Sequence, residues 1–320
     1  MRNASSATGT IATAKSPYVG RFAPSPTGPL HFGSLLAAAA SYLQARANNG
    51  RWLVRVEDID PPREESGATD AILTALEQYG FEWDGPTIYQ SGSAAAHEAA
   101  LRRLLEAGQA YPCGCSRRDL AGVPQGPLGT IYPGTCRQGC TSSETAIRVR
   151  TTDTPTAFPD GLQGSQQQRL ESESGDFVIW RRDGLVAYHL AVVVDDFEQG
   201  VTEIVRGVDL LDSTPRQLWL QDLLSYPRPG YLHIPVAAHP DGQKLSKLTG
   251  ATPVSHEDPR GTLILALEAL GQQPAGELGD TSIADIWAWA IGHWQLEALV
   301  GRTQIVVDNN AIANGKNGLL

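Results

Sequence analysis

Near the start of the chain a short apolar run, residues 18–22, is followed by a helical stripe of Leu35, Leu36, Ala39, Leu43 and Ala47. Between them lies PSPTGPLHFGS, residues 24–34, stiffened by Pro24, Pro26 and Pro29. The order predicts a strand, a rigid loop and a helix start. Asn49-Gly50 closes the helix as a turn pair. Trp52, Val54 and Val56 then alternate along a second strand that ends in Glu57-Asp58. Strand, helix, strand in this rhythm is a βαβ unit, which predicts a parallel sheet.

Further along, Pro61-Pro62 breaks the chain, and Ala68, Ile72, Ala75, Leu76 and Tyr79 line one side of a second helix ending at Gly80. Residues 94–108 predict a helix burying Leu101, Leu104 and Leu105. Residues 151–175 are rich in Gln, Ser, Thr and Pro and read as loop. The runs 177–180 and 185–194 flank Arg181-Arg182-Asp183-Gly184 and read as a hairpin. Residues 202–206 continue the strand pattern, and Thr214-Pro215-Arg216-Gln217 has capping-box spacing at a helix start. A strand at 232–237 leads to KLSKL, residues 244–248, and helical patterns follow at 262–270 and 283–296. No internal repeat is present.

These patterns divide the chain into six parts. Residues 1–16 are a polar, disordered leader and 17–90 the first half of a Rossmann-like α/β domain. Residues 91–185 are an insertion, and 186–250 the second half with the KLSKL loop. A short helical region at 251–302 and a disordered tail at 303–320 complete it.

Composition narrows the function classes. No apolar run approaches the roughly 20 residues of a membrane span. The chain carries 25 Lys and Arg against 35 Asp and Glu, a net charge of −10. A protein that merely coats nucleic acid is basic, so any RNA contact here uses a local basic face, with Arg102-Arg103, Arg117-Arg118 and Arg181-Arg182 as candidates. Four cysteines, Cys113, Cys115, Cys136 and Cys140, fall within one short segment. Without an export signal this favours metal over disulfides, in a reducing cytoplasm.

The candidate chemistry gathers at two distant loops. A helix start offers free backbone N–H groups and a positive dipole end, so PSPTGPLHFGS suits an anion. His31 and Ser34 add donors there, and Gly33 leaves room for a flat base. The two lysines of KLSKL, Lys244 and Lys247, would clamp a polyphosphate from the opposite side. Ligands of open parallel sheets bind beyond the carboxyl ends of the strands. Arg21, Ser25, Glu57 and Asp58 all sit there.

At these residues the chain resembles a known family. PSPTGPLHFGS is similar to the HIGH signature, and KLSKL to the KMSKS signature, of class I aminoacyl-tRNA synthetases. RFAPSPTG and VEDIDPPRE narrow the resemblance to the glutamyl branch, and the short length to the glutamyl-Q enzymes, which lack the anticodon-binding half. The resemblance covers residues 17–294. It implies an ATP site at Pro24, His31, Gly33, Ser34, Lys244, Ser246 and Lys247, with His31, Lys244 and Lys247 catalytic and Mg²⁺ accompanying ATP. It implies a glutamate pocket at Arg21, Ala23, Ser25, Glu57, Tyr188 and Arg206. Two arginines and one glutamate complement a substrate with two carboxylates and one ammonium, either arginine being able to take either carboxylate. One departure is Ser34 in place of the second histidine of the signature.

For the cysteine segment, three thiolates suit a structural Zn²⁺. The resemblance points to Cys113, Cys115, Tyr132 and Cys136, whereas thiolate chemistry alone favours Cys140 as the fourth ligand. The implied activity is tRNA-independent formation of glutamyl-adenylate from L-glutamate and ATP. Glutamate then passes to the cyclopentenediol of queuosine in tRNA(Asp), the work of a monomeric cytoplasmic ligase. The alternatives are a short glutamyl-tRNA synthetase charging tRNA 3′ ends, a non-catalytic RNA-binding relic, and a nucleotidylyltransferase on the same fold.

Overall fold

The computed structural model describes residues 17–245 and 250–308 together with Ile312 and Leu319. Strand β1 (Val19–Phe22) is followed by α1 (Phe32–Ala47), β2 (Arg51–Val56), α2 (Ala68–Gln78) and β3 (Ile88–Tyr89). The three strands are parallel in the order β1-β2-β3, with Val19 opposite Arg51 and Phe22 opposite Val54. The expected βαβ unit is present. Helix α1 differs from its predicted stripe in being buried almost all round, from Leu35 to Ala45. Strand β1 covers one side, and two C-terminal helices cover another.

Helix α3 (Ala94–Glu106) leads into β4 (Ala110–Cys113), then the two-residue strands β5 (Gln125–Gly126) and β6 (Gly129–Thr130), and β7 (Ala146–Val149). Next come β8 (Pro155–Asp160), β9 (Gly164–Arg169), the single turn α4 (Leu170–Glu173) and β10 (Val178–Trp180). The segment 151–175, expected as loop, is therefore largely an antiparallel hairpin of β8 and β9. Its pattern hid it because the inward positions of β8 are Thr156, Phe158 and Asp160, only one of them apolar.

Arg181-Arg182-Asp183-Gly184 does form a tight turn, closed by the Arg181 N–H on Leu185 O at 2.8 Å. The expected second strand is not there. Residues Tyr188–Glu198 are helix α5. The apolar run Leu190–Val194 is buried on every side, and periodicity cannot tell such a run from an interior strand. Strand β11 (Glu203–Gly207) then runs beside β1, because the Thr202 N–H donates to Val19 O and Thr202 Oγ1 accepts the Val19 N–H, both at 2.9 Å.

Helix α6 (Thr214–Leu224) has no capping box: Thr214 is its first residue, and the hydroxyl is engaged by Arg206 at 2.8 Å. Strands β12 (Gly230–Ile234) and β13 (Val236–Ala238) follow, the first parallel to β11. Helices α7 (Pro259–Ala269) and α8 (Ile283–His293) lie against α1. Trp287 of α8 enters the main core, 4.8 Å from the Tyr42 ring and 4.9 Å from Phe81, and donates its indole N–H to Tyr79 O. The tail reading is corrected for Gln304–Val306, which forms β14 parallel to β13. Ile305, Val307 and Ile312 are buried there; a three-residue β-branched run between polar stretches is too short to announce a strand.

Candidate active site

The turn from β1 into α1 forms one wall of a cleft of about 500 Å³. His31 is the N-cap of α1, extended at φ −114° and ψ 170°, and its Nδ1 accepts the Ser34 N–H at 3.3 Å. The first turn of α1 contains no acidic residue to compete with an anion. Pro24, His31, Gly33 and Ser34 line this wall, and Asp209, Val236 and Lys244 line the other.

Both flanks of the KLSKL loop come to the His31 turn. Leu245 donates its N–H to Ala237 O at 2.8 Å, and a side chain at Gly33 would stand 3.6 Å from Leu245 O and 3.2 Å from the His31 ring. On the far flank His31 pairs with Pro253 as a β-bridge, and the Val254 N–H donates to Leu30 O at 2.9 Å. Lys244 Nζ lies 2.6 Å from Asp209 Oδ2 across the mouth. Ser246 and Lys247 lie outside the described residues.

A second lobe of about 470 Å³ adjoins the first, sharing Ala23, Ser25, Arg63 and Gly207 with it. Arg21, Ala23, Ser25, Glu57, Tyr188 and Arg206 all line this lobe. They come from β1 and the residues just after it, the end of β2, the start of α5 and β11, so four sequence-distant segments meet at this lobe.

The arginines are held differently. Arg21 donates Nε–H to Asp196 Oδ1 at 3.1 Å, and the same oxygen takes Arg55 Nη1 at 2.8 Å. Burial works to raise the Asp196 pKa, but the two guanidiniums outweigh it and hold the carboxyl below its ordinary range. Glu57 lies 3.4 Å from Arg55 Nη2, and burial leaves its pKa raised despite that neighbour. Arg206 donates Nε–H to His233 Nε2 at 3.0 Å and Nη2–H to Thr214 Oγ1 at 2.8 Å. Its Nη1 is buried with no partner among the described residues. A buried guanidinium with an open donor suits a carboxylate. Burial also pushes the Tyr188 hydroxyl pKa up, so it stays protonated and able to donate.

Several residues of the cleft and its wall are not singled out by a motif or strand-end position in the sequence. Arg63, in the turn after Pro61-Pro62, lines both lobes. Asp209 faces Lys244. Arg55, Asp196, Asp160 and His233 form the buried polar layer behind the pocket. Arg55 carried a readable signal: a cation on a strand buried on both faces requires a partner. The others carried none, because their partners are distant in sequence. Of the basic pairs, Arg181 is taken up by Asp60 and Asp183, and Arg182 donates to Gly114 O at 3.0 Å.

The cysteine segment makes a separate cluster. The Sγ atoms of Cys113, Cys115 and Cys136 all lie within 4.8 Å of one another, a geometry that could hold a metal ion. Tyr132 Oη completes the group, 3.3 Å from Cys113 Sγ, 3.5 Å from Cys115 Sγ and accepting the Cys136 N–H at 2.9 Å. Cys140 stands outside the trio, beside Gly114. Against burial, the Tyr132 hydroxyl and the Gly114 N–H bring the Cys136 thiol down to about 7. Arg148 donates Nε–H to Cys113 Sγ at 3.3 Å and lies over the Tyr132 ring. Gly175 is required where this loop meets α4: it has φ +67°, and a Cβ would stand 2.2 Å from Tyr132 N.

Comparison with known proteins matches this geometry. Residues 18–278 match the family described as tRNA synthetases class I (E and Q), catalytic domain. A glutamyl-Q tRNA(Asp) synthetase of Pseudomonas fluorescens is 54% identical over 293 residues, covering 91% of this chain and 96% of that protein. One from Dechloromonas aromatica is 52% identical, covering 91% of this chain and 99% of its own. The crystal structure of a glutamate-tRNA synthetase from Elizabethkingia anophelis shares the fold with a TM-score of 0.76 at 23% identity, covering 90% of this chain and 68% of that one. The chain therefore belongs to the class I tRNA synthetases of the E and Q type, an ATP-dependent ligase family, in the group of the glutamyl-Q tRNA(Asp) synthetases.

Proposed function

We propose that this enzyme activates L-glutamate with ATP, without tRNA, to glutamyl-adenylate, and then transfers glutamate to the cyclopentenediol of queuosine in the anticodon of tRNA(Asp). One observation carries the reading: Arg21, Arg206 and Glu57 converge on a lobe that opens directly into the cleft at the start of α1. Two cations and one anion are the complement of a short amino diacid. The adjoining helix start is the complement of a phosphate chain.

In the first step a substrate carboxylate oxygen attacks the α-phosphorus of ATP and pyrophosphate leaves. Such transfer depends on positioning and charge stabilisation. Pro24, His31, Gly33, Ser34, Ser246 and the α1 N–H groups would seat the nucleotide. Lys244 and Lys247 would take the charge of the leaving phosphates. Arg21 and Arg206 would divide the two carboxylates, with Tyr188 donating to one and Ala23 and Ser25 forming the floor. Glu57 would hold the ammonium. Mg²⁺ supplies further charge neutralisation when bound with ATP. In the second step the adenylate carbonyl passes to a ring hydroxyl, and AMP leaves.

Cys113, Cys115, Tyr132 and Cys136 would hold one structural Zn²⁺, with no open position for chemistry. The inserted region 91–185 would present this knuckle, the enzyme acting as a monomer in the cytoplasm; among the described residues no helix is long and apolar enough to cross a membrane. The names of the most similar relatives favour this reading over charging of a tRNA 3′ end. The test is twofold. Glutamate-dependent ATP–pyrophosphate exchange is expected without tRNA. Radiolabelled glutamate is expected to enter tRNA(Asp) that contains queuosine and not the unmodified transcript. Equal labelling of both tRNAs would refute the acceptor assignment.

A further inference from the structure

Arg206 does not stand alone in its wall. Its Nε–H donates to His233 Nε2 at 3.0 Å, and the other ring nitrogen of His233, Nδ1, lies 2.6 Å from Asp160 Oδ2. A guanidinium nitrogen can only donate, so His233 Nε2 must accept. The proton of a neutral ring is then on Nδ1 and points at Asp160. Thr214 Oγ1, 3.3 Å from the same Nε2, fits an acceptor there as well.

Asp160 is itself fixed. Its Oδ1 accepts the backbone N–H groups of Leu162 at 3.0 Å and Gln163 at 2.8 Å, the turn of the β8–β9 hairpin. Gln163 Nε2 returns to His233 O at 2.8 Å. Asp160, His233 and Arg206 are all buried. Burial lowers the His233 pKa, in keeping with a neutral ring.

We propose that Asp160 and His233 are positioning residues for the amino-acid site: Asp160 selects the Nδ1–H tautomer of His233, which makes Nε2 an acceptor that locks the Arg206 fork with Nη1 left open for the substrate carboxylate. The inference rests on the reading that Arg206 binds glutamate. Its physical basis is tautomer choice. Replacing Asp160 by Asn keeps an oxygen for the backbone N–H groups but turns an amide N–H₂ toward Nδ1. The ring proton must then move to Nε2, where it faces the Arg206 Nε–H donor to donor.

The test is glutamate-dependent ATP–pyrophosphate exchange with separate KM values for glutamate and ATP. Asp160→Asn and His233→Leu are expected to raise KM for glutamate about 10- to 100-fold, the range for a lost hydrogen bond to a charged group. KM for ATP is expected to stay within about two-fold. His233→Gln, whose carbonyl reaches the Nε2 position, should recover most of the loss. Unchanged KM for glutamate in Asp160→Asn, or equal rises in both KM values, would overturn the relay. Absence of exchange in the wild type would overturn the functional reading instead. Should the variants not fold, ¹⁵N-resolved NMR of the wild-type imidazole decides: a proton on Nδ1 supports the relay, and one on Nε2 refutes it.

Discussion

Asp196 Oδ1 accepts the Arg21 Nε–H at 3.1 Å with both side chains buried, and Arg55 shares the same carboxylate. One buried anion is thus shared by two cations behind the lobe that Arg21 and Arg206 line. Removing it leaves the buried Arg21 guanidinium without its carboxylate and Arg55 with Glu57, 3.4 Å away, as its one remaining ion-pair partner among the described residues. Asp196→Ala is expected to lose about 3–5 kcal/mol of stability, read from urea denaturation. A loss within measurement error would show that the layer is wetter than its burial indicates.

The same layer sets the acid limit. Folding lowers the carboxyl pKa of Asp196 and Asp160: against the raising effect of burial, the two guanidiniums act on Asp196, and the His233 ring and the backbone N–H groups of Leu162 and Gln163 act on Asp160. The unfolded chain therefore takes up protons first as pH falls. Their contribution is fully present above the ordinary aspartate value of about 4 and is lost as pH drops toward the lower folded values. Unfolding free energy should hold steady from neutrality to about pH 5 and then decline; a flat profile down to about pH 3 would contradict this.

Glu57 behaves in the opposite sense, since burial raises its pKa. Its anionic form, which the proposed contact with the substrate ammonium requires, disappears at a higher pH than for a free glutamate side chain. KM for glutamate should therefore climb on mild acidification before the protein unfolds. Glu57→Gln should raise it about 10- to 100-fold at neutral pH and flatten its pH dependence. Steady-state exchange kinetics across pH check both outcomes.

For the cysteine cluster, one zinc per chain is expected by elemental analysis of the purified protein. Cys136→Ser should abolish it. Cys140→Ser should retain it, because Cys140 lies outside the trio of sulfurs. Loss of metal in Cys140→Ser with retention in Tyr132→Phe would exchange the roles of those two residues.

Lys244 crosses the cleft mouth to Asp209 and lines the lobe beside His31. Lys244→Ala should slow exchange about 10- to 100-fold, equivalent to about 1.4–2.8 kcal/mol of transition-state stabilisation. KM for glutamate should change little, since Lys244 does not line that lobe. A rise in that KM alone would place the lysine in the wrong step.

Much of the architecture is legible in the sequence. The apolar rhythm announced β1, α1 and β2, and strand ends announced where Arg21, Ser25 and Glu57 would face. Reading failed where local pattern is ambiguous. Leu190–Val194 is apolar at every position, so it cannot be told from a strand by pattern; Tyr188 therefore begins a helix rather than lying on a strand, and it lines the lobe with Arg21, Glu57 and Arg206. The β8–β9 hairpin was hidden because its inward face carries Thr156 and Asp160. The tail strand was hidden by its brevity.

From the chain alone came the signature loops, the parallel sheet and the strand-end positions of Arg21, Ser25 and Glu57, because motifs, periodicity and strand ends are local properties, while the diacid pocket is what the family resemblance implies. Folding alone decided which distant groups meet: Asp160 with His233 and Arg206, Asp196 with Arg21 and Arg55, and Tyr132 among three sulfurs. Burial obliges each of these polar groups to find a partner, but the identity of the partner depends on how elements stack, which no local pattern encodes.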